Sequence, residues 1–225
     1  MKTGIESFEN RLKRFLYSGP DIFILTLTNS IDNLFLPELK KAKELKLTQL
    51  LFLGAHAIMQ TVSEAIYDKK QLKGTQFFLK NFVDGSTSDR QFSLIADELH
   101  RMRNVSAHQW LSRRGHRIFI DFNMAEGWKR NRGMLHINPN IFADQFFLAF
   151  SAKSQYWTLW EQIPEQELTL RKYKYICGFL DLKASDQIVE EVRKLKPKMT
   201  KQAFAKRERM IQQKIATRFG IAQAA

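Results

Sequence analysis

Between residues 89 and 114 the chain reads DRQFSLIADELHRMRNVSAHQWLSRR, and the apolar side chains in it recur at helical steps. Phe92, Ile95, Leu99 and Met102 follow one another by three or four residues, which gathers them on one face of an α-helix. Ser86, three residues ahead of Asp89, makes a capping-box pattern at the start, and Gly115 supplies the stop. A helix this long, with one apolar stripe, must bury that stripe against other helices, so the stretch commits the chain to a helical bundle. The polar side is equally ordered. His100, Asn104 and His108 succeed one another every four residues and share a face, and the long side chain of Arg103 can swing to the same side.

Those residue types have a definite chemistry. A neutral imidazole with an ordinary pKa of about 6.5 takes or gives a proton near neutrality. A guanidinium holds phosphate oxygens in a bidentate fork and stabilises negative charge growing on phosphorus. Arg103, His108 and an orienting Asn104 are therefore a minimal kit for cutting RNA without a metal. A base deprotonates the ribose 2′-OH, which attacks the adjacent phosphate while Arg stabilises the transition state. DNA lacks that hydroxyl. The spacing itself is loose: Arg101 to His108 and Arg130 to His136 satisfy it as well as Arg103 to His108. The Arg103 match is distinguished by its capped amphipathic helix, by Asn directly after Arg, and by Arg113 and Arg114 downstream. Read as residues alone, the constellation fits structural polar contacts as well as catalysis.

At RNVSAH, residues 103–108, the chain resembles the signature of HEPN domains, small all-α modules many of which are ribonucleases in toxin–antitoxin, abortive-infection and CRISPR-associated systems. The preceding FSLIADELHRM is similar to what such domains carry, and the likeness is specific over residues 92–110. The resemblance implies Arg103 and His108 as the catalytic pair with Asn104 between them. It implies an active site formed where two domains meet, hence a homodimer, and no cofactor. It also implies a possible antitoxin or regulatory protein partner. Some members of that family are inactive, so the alternative is a non-catalytic module that binds nucleic acid or protein. A further alternative is an assembly protein whose basic tail docks on an acidic partner.

Charge adds a second constraint. The net charge is +13, with 36 Lys and Arg against 23 Asp and Glu. Residues 193–225 hold ten of the cations and one acid, Glu208, which is +9 of the +13 and leaves +4 for the rest. Such asymmetry favours an acidic polymer, most often nucleic acid, as partner, and with the motif the expected partner is RNA. Arg101, Arg113, Arg114, Lys129, Arg130 and Arg132 are the candidate RNA-binding residues. The single Cys177 excludes an intrachain disulfide and a multi-cysteine zinc site, and no metal site is expected. No apolar stretch reaches the length of a membrane span, and no signal-peptide core follows Met1, so a cytoplasmic protein is expected.

Taken in order, residues 6–17 predict a short helix, Pro20 opens a second that runs up to Pro37, Pro37 opens a lysine-rich turn of helix, and 48–68 predict a long one. There Leu50, Leu51, Leu53, Ala57, Ile58 and Val62 are the candidate core, and His56 is read as a core histidine. Phe77, Phe78, Phe82 and Val83 form a short apolar helix closed by Asp84-Gly85. The period then changes. Residues 117–122 and 134–137 predict two strands around a loop at 127–133, a hairpin (about 116–138) with a basic tip of Lys129, Arg130 and Arg132. Trp128 is a candidate either for stacking or for anchoring that hairpin, and His116 and His136 for facing each other across it. Helices follow at 141–160, 165–180 and 185–195. After Pro197, Phe204, Ile211, Ile215 and Phe219 mark an amphipathic helix with its charges facing out. The aromatic run at 141–160 and this stripe are the expected apolar surfaces of a dimer. The expectation is an all-α, HEPN-like antiparallel bundle at 1–196 with an inserted hairpin, followed by a basic helical segment at 197–225.

Overall fold

The computed structural model describes residues 7–109, 118–151 and 160–221, with side chains of 104–109 excepted. It is mostly helical, with one small three-stranded sheet. The chain divides into two units: residues 28–162 form one, and residues 1–27 with 163–225 form the other. The division does not follow the boundary expected at Pro197, because the basic C-terminal helix belongs to the same unit as the N-terminus.

In the discontinuous unit, α1 (Phe8–Tyr17) is capped by the Ser7 hydroxyl, and α2 (Pro20–Ser30) starts at the proline, whose fixed φ suits a first turn. The units divide inside α2. Their partners are α8 (Glu165–Phe179), α9 (Gln187–Lys194) and α10 (Lys201–Phe219). Thr200 caps the start of α10, and Gly220, at φ +65°, ends it in the left-handed conformation that glycine tolerates. Phe204, Ile211 and Ile215 are buried with Leu12, Leu16, Tyr173 and Ile176. The stripe of α10 is thus spent inside its own unit and is not the dimer surface expected of it. Two carbonyls at the end of α1 have no helical partner. Gln212 donates to Leu16 O at 3.1 Å and the buried Lys172 donates to Ser18 O at 3.0 Å.

The continuous unit begins with the end of α2, a π-turn at Ile31–Phe35, and α3 (Leu36–Glu44). Pro37 lies in the first turn of α3 and opens the lysine-rich helix as expected, at a position where its missing N–H costs no helical hydrogen bond. The π-turn makes the helical path from α2 into α3 continuous. The long α4 (Thr48–Tyr67) ends at Asp68, which is left-handed. It buries Phe52, Ala55, His56 and Met59 beside the expected Leu51, Ile58 and Val62, while Leu53 is half-buried and Leu50 and Ala57, also expected in the core, are exposed. Then come α5 (Gln71–Phe78), a second π-turn at Leu79–Val83, and α7 (Pro139–Leu148). Phe52, Phe78, Phe92, Phe142, Phe146 and Phe150 form one aromatic core. Phe142, Phe146 and Phe150, all from the 141–160 run, therefore fill this core.

The stretch from 89 is not one uninterrupted helix. Two 3-10 turns, Ser88–Arg90 and Phe92–Ile95, precede α6 (Ala96–Gln109). The expected cap by Ser86 is replaced by Asp84, whose carboxylate accepts from the backbone N–H and the hydroxyl of Ser93. The expected two-strand hairpin is also corrected. β3 (Met134–Ile137) is central, with β1 (Ile118–Ile120) parallel to it and β2 (Trp128–Asn131) antiparallel. Lys129 and Arg130 are therefore strand residues. The turn is only Arg132-Gly133, at φ 49° and 75°, the mirror-image geometry that matches the twist of a tight hairpin. The inner face of the sheet buries Leu135 and Ile137.

Candidate functional site

α6 carries the Arg-Asn-x3-His sequence on unbroken helical backbone, so positions 100, 104 and 108 succeed one another at four-residue steps. Its N-terminal half is seated by Phe92, Ile95, Ala96 and Leu99, all buried. The side chains of Asn104 and His108, and all of Arg113 and Arg114, lie outside the described residues.

The polar face of the helix enters a hydrogen-bonded network. His100 Nδ1 lies 3.0 Å from Nε2 of His56 on α4, which is also 3.2 Å from Thr75 Oγ1 on α5. Gln60 donates to Thr75 Oγ1 at 2.7 Å and to Gln71 O at 2.6 Å. Gly74 allows this approach: a Cβ there would sit 2.5 Å from Lys69 O and 3.1 Å from the Ser63 side chain. His56 is 3% exposed, and its Nδ1 is buried without a hydrogen-bond partner. A proton on His56 Nε2 serves both His100 and Thr75, and leaves only a lone pair orphaned at Nδ1. The other tautomer would direct two donors at one lone pair and bury an orphan N–H, the costlier arrangement. Hydrogen-bond logic thus assigns His100 as the acceptor at Nδ1, with its own proton on Nε2.

Electrostatics keeps both rings neutral. Burial, then the proximity of His100 and Arg103, pushes the His56 pKa down to about 4. Burial and then Arg103 lower that of His100, opposed by Asp97. The cation that acts on both rings is Arg103, beside two neutral imidazoles. His56 was expected to be a satisfied core histidine; one of its two nitrogens is satisfied.

No family model, no curated protein and no solved structure matches this chain.

The candidate RNA-binding cations are placed, where described, next to acids. Arg101 is exposed and paired with Asp97 one turn back. Arg130 reaches Glu98 at 2.5 Å, joining β2 to the first turn of α6, and Lys129 lies 3.4 Å from Glu126. Arg132 is exposed on its turn. Exposed pairs of this kind contribute about 0–1 kcal/mol and exchange readily for a phosphate. The i,i+4 spacing of Asp97 and Arg101 is readable in the sequence; the Arg130–Glu98 contact, across 32 residues, is not. Trp128 sits on the inner face of the sheet opposite Ile137, the anchoring role of its two expected ones. The C-terminal cations are not all turned outward either. Glu191 receives Lys194 and Arg207 at 3.0 Å and Lys214 at 3.8 Å, and Arg218 pairs with Asp186. Beside that last pair, the ends of α9 and α10 border a cavity of about 950 Å³. Among the described residues no cluster of three or more His, Cys, Asp or Glu could hold a metal, and no helix is long and apolar enough to cross a membrane.

Proposed function

We propose that this chain is a metal-independent endoribonuclease of HEPN type, working in the cytoplasm as a toxin or defence effector. Arg103 stabilises charge on the phosphate, Asn104 orients it, and His108 moves the proton of the 2′-OH. One observation carries the reading: the Arg-Asn-x3-His register lies on a single helix whose preceding turn is fixed to the core through His100 and His56. That anchorage holds the helix rigid, and rigid elements position catalytic groups best. One motif supplies one Arg and one His, whereas the reaction needs a base, an acid for the leaving 5′-oxygen and charge stabilisation. A two-fold pair of motifs supplies all three, so the active species is a homodimer. Incubation of labelled RNA with the wild type and with His108→Ala tests the assignment. The variant should cleave roughly 10²–10⁴-fold more slowly, and the products should carry a 2′,3′-cyclic phosphate and a 5′-hydroxyl, with no loss in EDTA. A folded variant of undiminished activity would remove His108 from the mechanism. A monomer of full specific activity by light scattering would remove the composite site.

A second reading is favoured by the same network. His100, the first member of the polar face, is used as a brace, and the rest of the face would act likewise in a non-catalytic module that binds RNA or a regulatory protein. Binding of RNA without cleavage at any dilution selects it.

A further inference from the structure

We propose that the outer face of the small sheet is a stacking platform for an unpaired nucleobase, with Phe119 as its seat. Phe119, His136 and Lys129 form one cross-strand row over β1, β3 and β2.

 The Phe119 ring lies on the His136 ring, with centroids 5.5 Å apart and planes inclined at 24°. That is an offset stack. One face of Phe119 is thus occupied by His136, yet the residue is 55% exposed, so its other face is open to solvent. A base laid on that face would continue the pile begun by the two rings.

The occupant follows from what surrounds the ring. Among the described residues of the sheet, Phe119 is the one large apolar side chain that is exposed, which suits one flat ring and not the broad apolar patch of a protein partner. Lys129 ends the same row two strand spacings away, roughly 10 Å, and exposed Arg132 lies on the adjoining turn. These cations suit the phosphates that flank a stacked base, as in sheet-face recognition of single strands. The platform belongs to the same unit as α6, to which the Arg130–Glu98 pair ties β2. It extends the ribonuclease reading by giving it a substrate-holding surface, but the binding stands without cleavage.

The probe is a fluorescein-labelled oligo-deoxythymidine of eight residues, which lacks the 2′-OH and so reports binding whether or not the protein cuts RNA. Fluorescence anisotropy should show the wild type binding it. Phe119→Ala should weaken binding roughly 5- to 100-fold, Phe119→Trp should keep it, and Lys129→Gln should lower the salt slope by about 0.7. Thermal melts of the variants should match the wild type, because both side chains are exposed. Unchanged affinity in folded Phe119→Ala, no binding by the wild type, or equal binding of a matched duplex would each overturn the platform. Failure of the ribonuclease reading is scored separately, by RNA cleavage in the His108→Ala comparison.

Discussion

His56 has a folded pKa of about 4 against an ordinary 6.5, because burial first, then His100 and Arg103, oppose its charge. The sign of the consequence follows from linkage. As pH falls through 6.5 the unfolded chain binds a proton that the folded chain refuses until about pH 4. The stability contributed is therefore full above pH 6.5 and is lost progressively between 6.5 and 4. At pH 5 the loss from this residue is about 2 kcal/mol. Urea unfolding at pH 7.5 and at pH 5 should show it, and His56→Gln should remove that part of the difference. Parallel pH profiles in the two proteins would discard the account. The lowered pKa of His100 acts in the same direction.

Elements differ in how much of them the sequence discloses. Pro20, Thr200 and Gly220 mark helix ends by chemistry confined to a few neighbouring residues, and the helices start and stop there. Asn138 joins β3 to α7 in the same local way: its carbonyl oxygen caps Asn140 and Ile141, and its amide donates to Met124 O at 2.6 Å. Asn138→Ala should cost roughly 2–3 kcal/mol in chemical denaturation, a lost cap plus a buried carbonyl without a donor. Asn138→Asp keeps the cap but loses the amide donor, and should fall between the two; equal stability of all three would contradict this. The sheet was less legible. Its helix-to-strand change of period is visible at residue 117, but the parallel pairing of Ile118 with Leu135 is a non-local choice that no window of sequence contains. The same holds for His56 and His100, which are 44 residues apart. The Arg-Asn-x3-His spacing was readable; its brace was not.

At the scale of the whole molecule, the basic C-terminus serves two ends. Arg207, Lys214 and Arg218 are engaged with Glu191 and Asp186, whereas Lys201, Lys206 and Arg209 are exposed. Removing the segment would uncover the core side chains that α10 buries, so charge substitution is the cleaner test of RNA contact. Lys201→Gln, Lys206→Gln and Arg209→Gln together should reduce the salt slope of single-strand binding by about 2, at about 0.7 per phosphate contact. An unaltered slope, measured by anisotropy from low to high salt, would assign these charges to another role. The discontinuity of the unit built from 1–27 and 163–225 has a consequence for biosynthesis. A ribosome delivers α1 ahead of residues 28–162, and its partners on α8 and α10 after them. Residues 28–162 can assemble before those partners emerge, and α1 waits, unmatched, until they do. A transcript cut after residue 162 would therefore yield the motif-bearing unit complete and the other one without its closing half.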